Sequence, residues 1–160
     1  MTGPAAPGGS VRPAAALALA TISFVALFIF GLGMTSLATG EDVIAVRGLG
    51  QSPGIVAAVV ATGVFAVALW PGLRRVPPTY WAAAWTAAAT FLAYLLALVV
   101  AVVATGGDLA SAVAVAGRIS TTWFGVVVAG AAAVCAWGGV ALVRTRASRP
   151  RWPWEDEFDE

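Results

Sequence analysis

Carboxylates and guanidinium groups recur in two short segments of this 160-residue chain, and they are its clearest candidates for chemistry. The members are Asp42, Arg47, Asp108 and Arg118. Two carboxylates brought together can act as acid and base when their surroundings separate their pKa values, and arginine binds phosphate through paired hydrogen bonds. The alternative interpretation is that these are solvated turn charges, which keep the flanking apolar segments from sliding.

A faint repeat links the two segments. Residues 38–42 read Ala-Thr-Gly-Glu-Asp and residues 104–108 read Ala-Thr-Gly-Gly-Asp, and each is followed by an apolar stretch, an arginine and another apolar run. If the repeat is real, the chain consists of two helical hairpins related by a pseudo-twofold axis, and Asp42 and Asp108 are equivalent. In an alanine-rich chain the repeat also has a chance explanation, because residues 61–63 contain the same Ala-Thr-Gly.

A second candidate site lies inside an apolar run. Thr86, Thr90 and Tyr94 follow one another at a spacing of four, which places them on one face of a helix. Such a stripe can line a substrate path or a groove for lipid headgroups. The alternative is structural, since threonine hydroxyls in membrane helices bond the carbonyl one turn back and tyrosine can bond a neighbouring helix.

Residue types that most catalytic and metal sites require are scarce. The sequence has no histidine and one cysteine, Cys135. No imidazole base or His-ligated metal is available, and no intrachain disulfide can form. A thiol among alanine and valine has no activating neighbour, so Cys135 is predicted to be a small core residue. We expect no cofactor, no metal and no catalytic residue set.

The C-terminal segment joins basic, aromatic and acidic residues in that order. Four arginines between positions 144 and 151 precede Trp152, Trp154, Glu155 and Phe158, and five of the last six residues are acidic. Arginines near a membrane interact with anionic headgroups, while the acidic end is repelled from them. This pattern predicts a docking tail for a basic partner; the alternative is a set of orientation signals followed by a solubilising end.

The elements that must position these residues are four long runs without a formal charge. The chain is 60% hydrophobic and 11% charged, with a mean hydropathy of +0.89. A helix needs about 20 apolar residues to cross a bilayer, and its backbone must satisfy its own hydrogen bonds there. We therefore predict an all-α fold, an integral membrane four-helix bundle made of two helical hairpins. The predicted segments are a disordered N-terminus (1–13), four transmembrane helices (14–37, 54–70, 80–104 and 121–143), extracytoplasmic loops (38–53 and 105–120), a cytoplasmic loop (71–79) and a cytoplasmic tail (144–160).

The distribution of arginine predicts an orientation. Seven of the nine lie on one side of the predicted spans and two on the other; the seven are Arg12, Arg74, Arg75, Arg144, Arg146, Arg149 and Arg151. Because arginine-rich connections stay in the cytoplasm, both termini are expected there, in a bacterial plasma membrane. The net charge of +1 gives no indication of nucleic-acid binding.

Three functions remain open at this point. The favoured one is a non-enzymatic accessory subunit that binds another membrane or cytoplasmic protein through its tail, with the lipid bilayer as its surroundings. The second is a small channel or transporter built as a homo-oligomer, although proton-coupled transport is disfavoured because no ionisable residue lies in the middle of a span. The third is an enzyme that acts on envelope lipids with the Asp and Arg residues of the outer face.

Overall fold

Helices account for nearly all of the chain that the structure describes. The computed structural model describes residues 11–41, 52–76 and 78–144. Within these ranges there are five helices and no strand, which confirms the all-helical prediction. The helices are α1 (Pro13–Thr39), α2 (Ser52–Arg74), α3 (Trp81–Ala104), α4 (Leu109–Thr121) and α5 (Trp123–Arg144).

Four of the five helices are long and apolar enough to cross a membrane. These are α1, α2, α3 and α5, with 22 to 27 residues each. At 1.5 Å per residue they measure roughly 33 to 40 Å, against about 30 Å for the hydrocarbon core of a bilayer. The structure is therefore compatible with a multi-pass membrane protein, as the sequence predicts.

Helix α2 continues one turn past its predicted end. Pro71 and Gly72 predict the end of this span at Trp70, yet the helix extends to Arg74 with Pro71 inside it. Proline removes one backbone hydrogen bond. Gly72 lies directly against the Cβ of Ala82 on α3, so α2 and α3 pack closely at this final turn.

Helix α4 occupies most of a segment that the sequence analysis assigns to a loop. Asp108 caps its first turn, and the buried side chains Ala112, Val115 and Ile119 recur at a helical spacing. Helix α4 packs against α3 and α5. It is too short to span a bilayer, and it closes one end of the bundle.

The four long helices form a ring in the order α1, α2, α3, α5. The most extensive contacts are those of α2 with α3 and of α1 with α5; α3 with α5 and α1 with α2 complete the ring. The predicted pseudo-twofold relation would superpose α1 on α3 and α2 on α5, so it would exchange the α2–α3 pair with the α1–α5 pair. The pattern is in keeping with that relation, which stays a prediction.

Aromatic side chains fill the centre of the ring. Phe24 of α1 stacks on Phe65 of α2 with ring centroids 4.6 Å apart, and Phe28 of α1 meets the ring of Tyr94 on α3 edge-on at 5.5 Å. Helix α5 contributes small residues instead. A Cβ added to its Gly139 would lie 3.0 Å from the Cβ of Ala20 on α1, so these two helices approach closely.

The bundle has two distinct ends. The Arg144 end contains the starts of α1 and α3 and the ends of α2 and α5. The Glu41 end contains the opposite termini and α4. Contacts from Gly139 to Ala20 near one end, and from Gly31 to Val127 near the other, fix α1 and α5 as antiparallel neighbours.

Candidate functional site

An ion pair joins two distant parts of the chain at the Glu41 end. The Arg118 guanidinium donates a hydrogen bond to the Glu41 carboxylate, with 2.7 Å between Nη2 and Oε2. It connects the end of α1 to the last turn of α4. The Arg118 side chain is 33% exposed and the Glu41 side chain 54% exposed, so water screens the attraction between their charges. Arg118 belongs to the predicted cluster; Glu41, adjacent to the predicted Asp42, does not.

The other predicted cluster member that the structure describes has a different role. The backbone N–H of Ser111 donates to Oδ1 of Asp108 at 2.9 Å, and the Ser111 hydroxyl donates to Oδ2 at 2.6 Å. Both bonds lower the pKa of Asp108, and the one from the Ser111 hydroxyl has the larger effect. They do so because they stabilise the charged form of the carboxylate. Asp108 therefore serves as the N-terminal cap of α4.

The predicted outer cluster is not assembled by its described members. Asp108 and Arg118 lie at opposite ends of α4, ten residues or roughly 15 Å apart along the helix axis. Asp42 and Arg47 lie outside the described residues. What the structure brings together at this end is Glu41 with Arg118.

The repeated Ala-Thr-Gly sequence forms a similar helix ending twice. The Thr39 hydroxyl donates to the carbonyl of Thr35, and the Thr105 hydroxyl donates to that of Ala101. The glycine that follows each threonine has a positive φ, 65° at Gly40 and 92° at Gly106, a conformation that favours glycine. The repeat thus has a local structural meaning, as a way to end α1 and α3.

A groove lies beside the ion pair. Its volume is about 520 Å³, and it is lined by Thr39, Glu41, Ser120, Thr121, Thr122, Trp123, Phe124 and Val126. The hydroxyls of Ser120, Thr121 and Thr122 all donate to carbonyl groups of α4, so they act as part of the turn between α4 and α5. This leaves Glu41 as the ionisable side chain among the lining residues.

The predicted polar stripe on α3 faces the closed core. Thr86, Thr90 and Tyr94 are at most 1% exposed. The Thr90 hydroxyl donates to the Thr86 carbonyl at 2.7 Å, the bond that the structural interpretation of the stripe anticipates. The Thr86 hydroxyl is buried without a hydrogen-bond partner, and Tyr94 packs against Phe28. The stripe is a set of core contacts in a single copy of the chain.

Arginines and aromatic rings meet at the Arg144 end. The Arg144 guanidinium carbon lies 4.7 Å from the centre of the Tyr80 ring, and that ring stacks on Trp137 with 6.1 Å between centroids. Arg74 lies over Trp70 at 5.4 Å. The sequence analysis does not single out Tyr80 or Trp137. The available signal was the spacing of seven between Trp137 and Arg144, which puts them on one face of α5.

The remaining predicted residues form no site in the described structure. Trp152, Trp154, Glu155 and Phe158 of the tail lie outside the described residues. Cys135 is buried in α5. In residues 11–41, 52–76 and 78–144, no group of three or more His, Cys, Asp or Glu side chains is placed to hold a metal ion.

Comparison with known proteins places the chain in one family. A family model described as "Family of unknown function (DUF6121)" matches residues 10–160. No curated protein and no solved structure matches the chain. The matched region includes all five helices and the tail, so this protein belongs to the family of unknown function DUF6121.

Proposed function

We propose that the chain is a non-enzymatic accessory subunit of the bacterial plasma membrane that acts by associating with another protein. The observation that carries this proposal is the filled interior of the bundle. Phe24, Phe28, Phe65 and Tyr94 contact one another at its centre. A single copy packed in this way has its outer faces and its ends to offer to a partner, rather than an internal path for cargo.

The two ends support an orientation with both termini in the cytoplasm. Arg12, Arg74, Arg75 and Arg144 all lie at one end, whereas Arg118 at the other end pairs with Glu41. Arginine-rich ends of membrane bundles remain in the cytoplasm. In this orientation the C-terminal tail, with Trp152, Trp154, Glu155 and Phe158, is on the cytoplasmic side of the membrane, where it would bind a partner.

Purification from mild detergent tests this proposal. A tagged copy of the full chain should copurify with a defined protein partner, identified by mass spectrometry. A truncated copy lacking residues 151–160 should lose that partner, because the tail supplies the aromatic and acidic contacts. A copy lacking residues 2–10 is the matched control and should keep it.

A channel would give the opposite result. The wild-type protein would be a monodisperse homo-oligomer without a companion, and it would conduct ions in liposomes. Replacement of Thr90 or Tyr94 would change that flux. This outcome would contradict the accessory role.

A further inference from the structure

The Arg144 end carries positive charge that the described structure does not neutralise. The acidic side chains in the described ranges are Glu41 and Asp108, and both belong to the opposite end. The exposed arginines at this end are Arg12, Arg74, Arg75 and Arg144. No carboxylate from residues 11–41, 52–76 or 78–144 pairs with them. Their charge complements an anionic partner.

Two aromatic rings, Tyr80 at the start of α3 and Trp137 on α5, lie beside one of these arginines. The guanidinium of Arg144 lies over the ring of Tyr80 at 4.7 Å, and the Trp137 ring is nearly parallel to that of Tyr80, with an angle of 23° between them. A guanidinium held over a ring keeps its N–H groups available at its edge. This contact orients Arg144 to receive a planar or tetrahedral oxyanion.

This surface of Arg144, Tyr80 and Trp137 extends along α5 away from the Arg144 end. Trp137 precedes Arg144 by seven residues, which is two helical turns and roughly 10 Å along α5. The side chains of Tyr80 and Trp137 are 41% and 56% exposed. With the four long helices across a bilayer, this surface would run from a cation at headgroup depth to an aromatic ring at the depth of the upper acyl chain.

We propose that Arg144, Tyr80 and Trp137 form a binding site for an anionic phospholipid. The guanidinium of Arg144 binds the phosphate, and the acyl chain lies along Tyr80 and Trp137. A lipid fits both halves of this surface, since it joins an anionic headgroup to an apolar chain. The C-terminal tail of the same chain, which has acidic residues beside Trp152, Trp154 and Phe158, is the competing occupant that the experiment distinguishes. The inference goes beyond the proposed accessory role and does not depend on a protein partner.

Lipid titration of the full chain tests the site. The purified protein is titrated in mild detergent with palmitoyl-oleoyl phosphatidylglycerol, and native mass spectrometry measures the lipid-bound fraction. The Arg144→Gln variant should bind about tenfold more weakly, as expected for loss of a charge-assisted hydrogen bond. The Arg75→Gln variant removes the same charge from an exposed position at the same end and should lose about twofold or less.

Aromatic variants test the lower half of the site. Trp137→Leu should weaken binding by about threefold, in keeping with the loss of a ring contact. The control is Trp85→Leu on α3, which should leave binding unchanged; Trp85 is 66% exposed and Trp137 56%. Phosphatidylcholine should bind more weakly than phosphatidylglycerol, and inorganic phosphate should not compete at equal concentration.

Two outcomes would overturn the proposal. Equal losses in Arg144→Gln and Arg75→Gln would show a diffuse attraction without a site. A rise of tenfold or more in phosphatidylglycerol binding after deletion of residues 151–160 would mean that the acidic tail, and not a lipid, occupies the surface of Arg144, Tyr80 and Trp137 in the full chain. Arg144→Gln and Arg75→Gln both alter exposed side chains, and melting temperatures equal to that of the wild type would confirm that each variant is folded.

Discussion

The two ends of the bundle deal with charge in opposite ways. At the Glu41 end, Arg118 pairs with Glu41 and Asp108 accepts two hydrogen bonds from Ser111. At the Arg144 end, the guanidinium of Arg144 lies over the ring of Tyr80, which stacks on Trp137. Charged side chains at the Glu41 end therefore have hydrogen-bond partners within the described residues. The arginines at the Arg144 end have no carboxylate partner there and are exposed.

This difference assigns different roles to the two ends: stability to the Glu41 end and binding to the Arg144 end. At the Glu41 end, the ion pair joins the end of α1 to α4, and Asp108 caps the first turn of α4. Charged groups without an internal carboxylate partner need an external one, and a membrane surface or another protein provides it. The Arg144 end is therefore where we expect binding, and the Glu41 end is where we expect substitutions to affect mainly stability.

The largest effect at the Glu41 end should come from Gly125→Ala. A Cβ at Gly125 would lie 2.5 Å from the carbonyl oxygen of Ile119, a backbone atom that cannot move without shifting α4. We expect a loss of about 1–3 kcal/mol in the free energy of unfolding, as for other overpacked sites. The measurement is thermal or denaturant unfolding in detergent.

Gly130→Ala on the same helix is the matched control. Nothing lies within 4 Å of a Cβ at Gly130, so this variant should be neutral or slightly more stable, since alanine favours helices. Equal destabilisation by both substitutions would contradict the close approach of α4 and α5.

A smaller effect is expected from the ion pair. Glu41→Gln, Arg118→Gln and the double variant form a mutant cycle, and the coupling energy should be about 0.2–1 kcal/mol because the pair is exposed. The coupling should shrink in 0.5 M salt, at an ionic strength that screens exposed charges over a few ångströms. A coupling of zero at low salt would mean that the pair does not join α1 to α4.

The most local effect concerns the cap of α4. Asp108→Ala should speed amide hydrogen exchange in the first turn of α4, whereas Asp108→Asn, which keeps an acceptor oxygen, should change it less. Since the pKa of Asp108 in the folded protein is lowered from 3.8, its contribution is complete above that value and is lost as the pH falls through the lowered pKa. Protection of α4 that is independent of pH below 4 would argue against this cap.

The sequence carries enough information for the long helices. Uncharged runs predict all four candidate spans, and the predicted span 80–104 differs by one residue from α3 (Trp81–Ala104). Hydrophobicity in these runs is so high that no local signal competes with a helix. Pro71 is the exception, because its effect depends on the contact of Gly72 with Ala82 on another helix.

Helix α4 was also accessible from the sequence. Asp108 followed three residues later by Ser111, with apolar residues at 112, 115 and 119, is the pattern of a capped amphipathic helix. The small residues and the glycines around it favoured the interpretation as a loop. The absence of a second turn signal between residues 109 and 121 was the evidence for the helix.

The contacts between distant segments were not accessible in the same way. Glu41 and Arg118 are 77 residues apart, and Tyr80 and Trp137 belong to different helices. Both pairs depend on which helices become neighbours and how each is rotated. In a chain where small apolar residues cover every helix, periodicity gives little information about rotation, so the sequence identifies the charged groups but not their partners.

The most direct test of the account is the side of the membrane on which each end lies. Val76→Cys places a thiol at the Arg144 end and Ser120→Cys at the Glu41 end, both at exposed positions, while the buried Cys135 serves as an internal control. With a membrane-impermeant maleimide, the Ser120→Cys variant should be labelled in intact cells and the Val76→Cys variant only after permeabilisation. Labelling of the Val76→Cys variant in intact cells, with the Ser120→Cys variant protected, would contradict it.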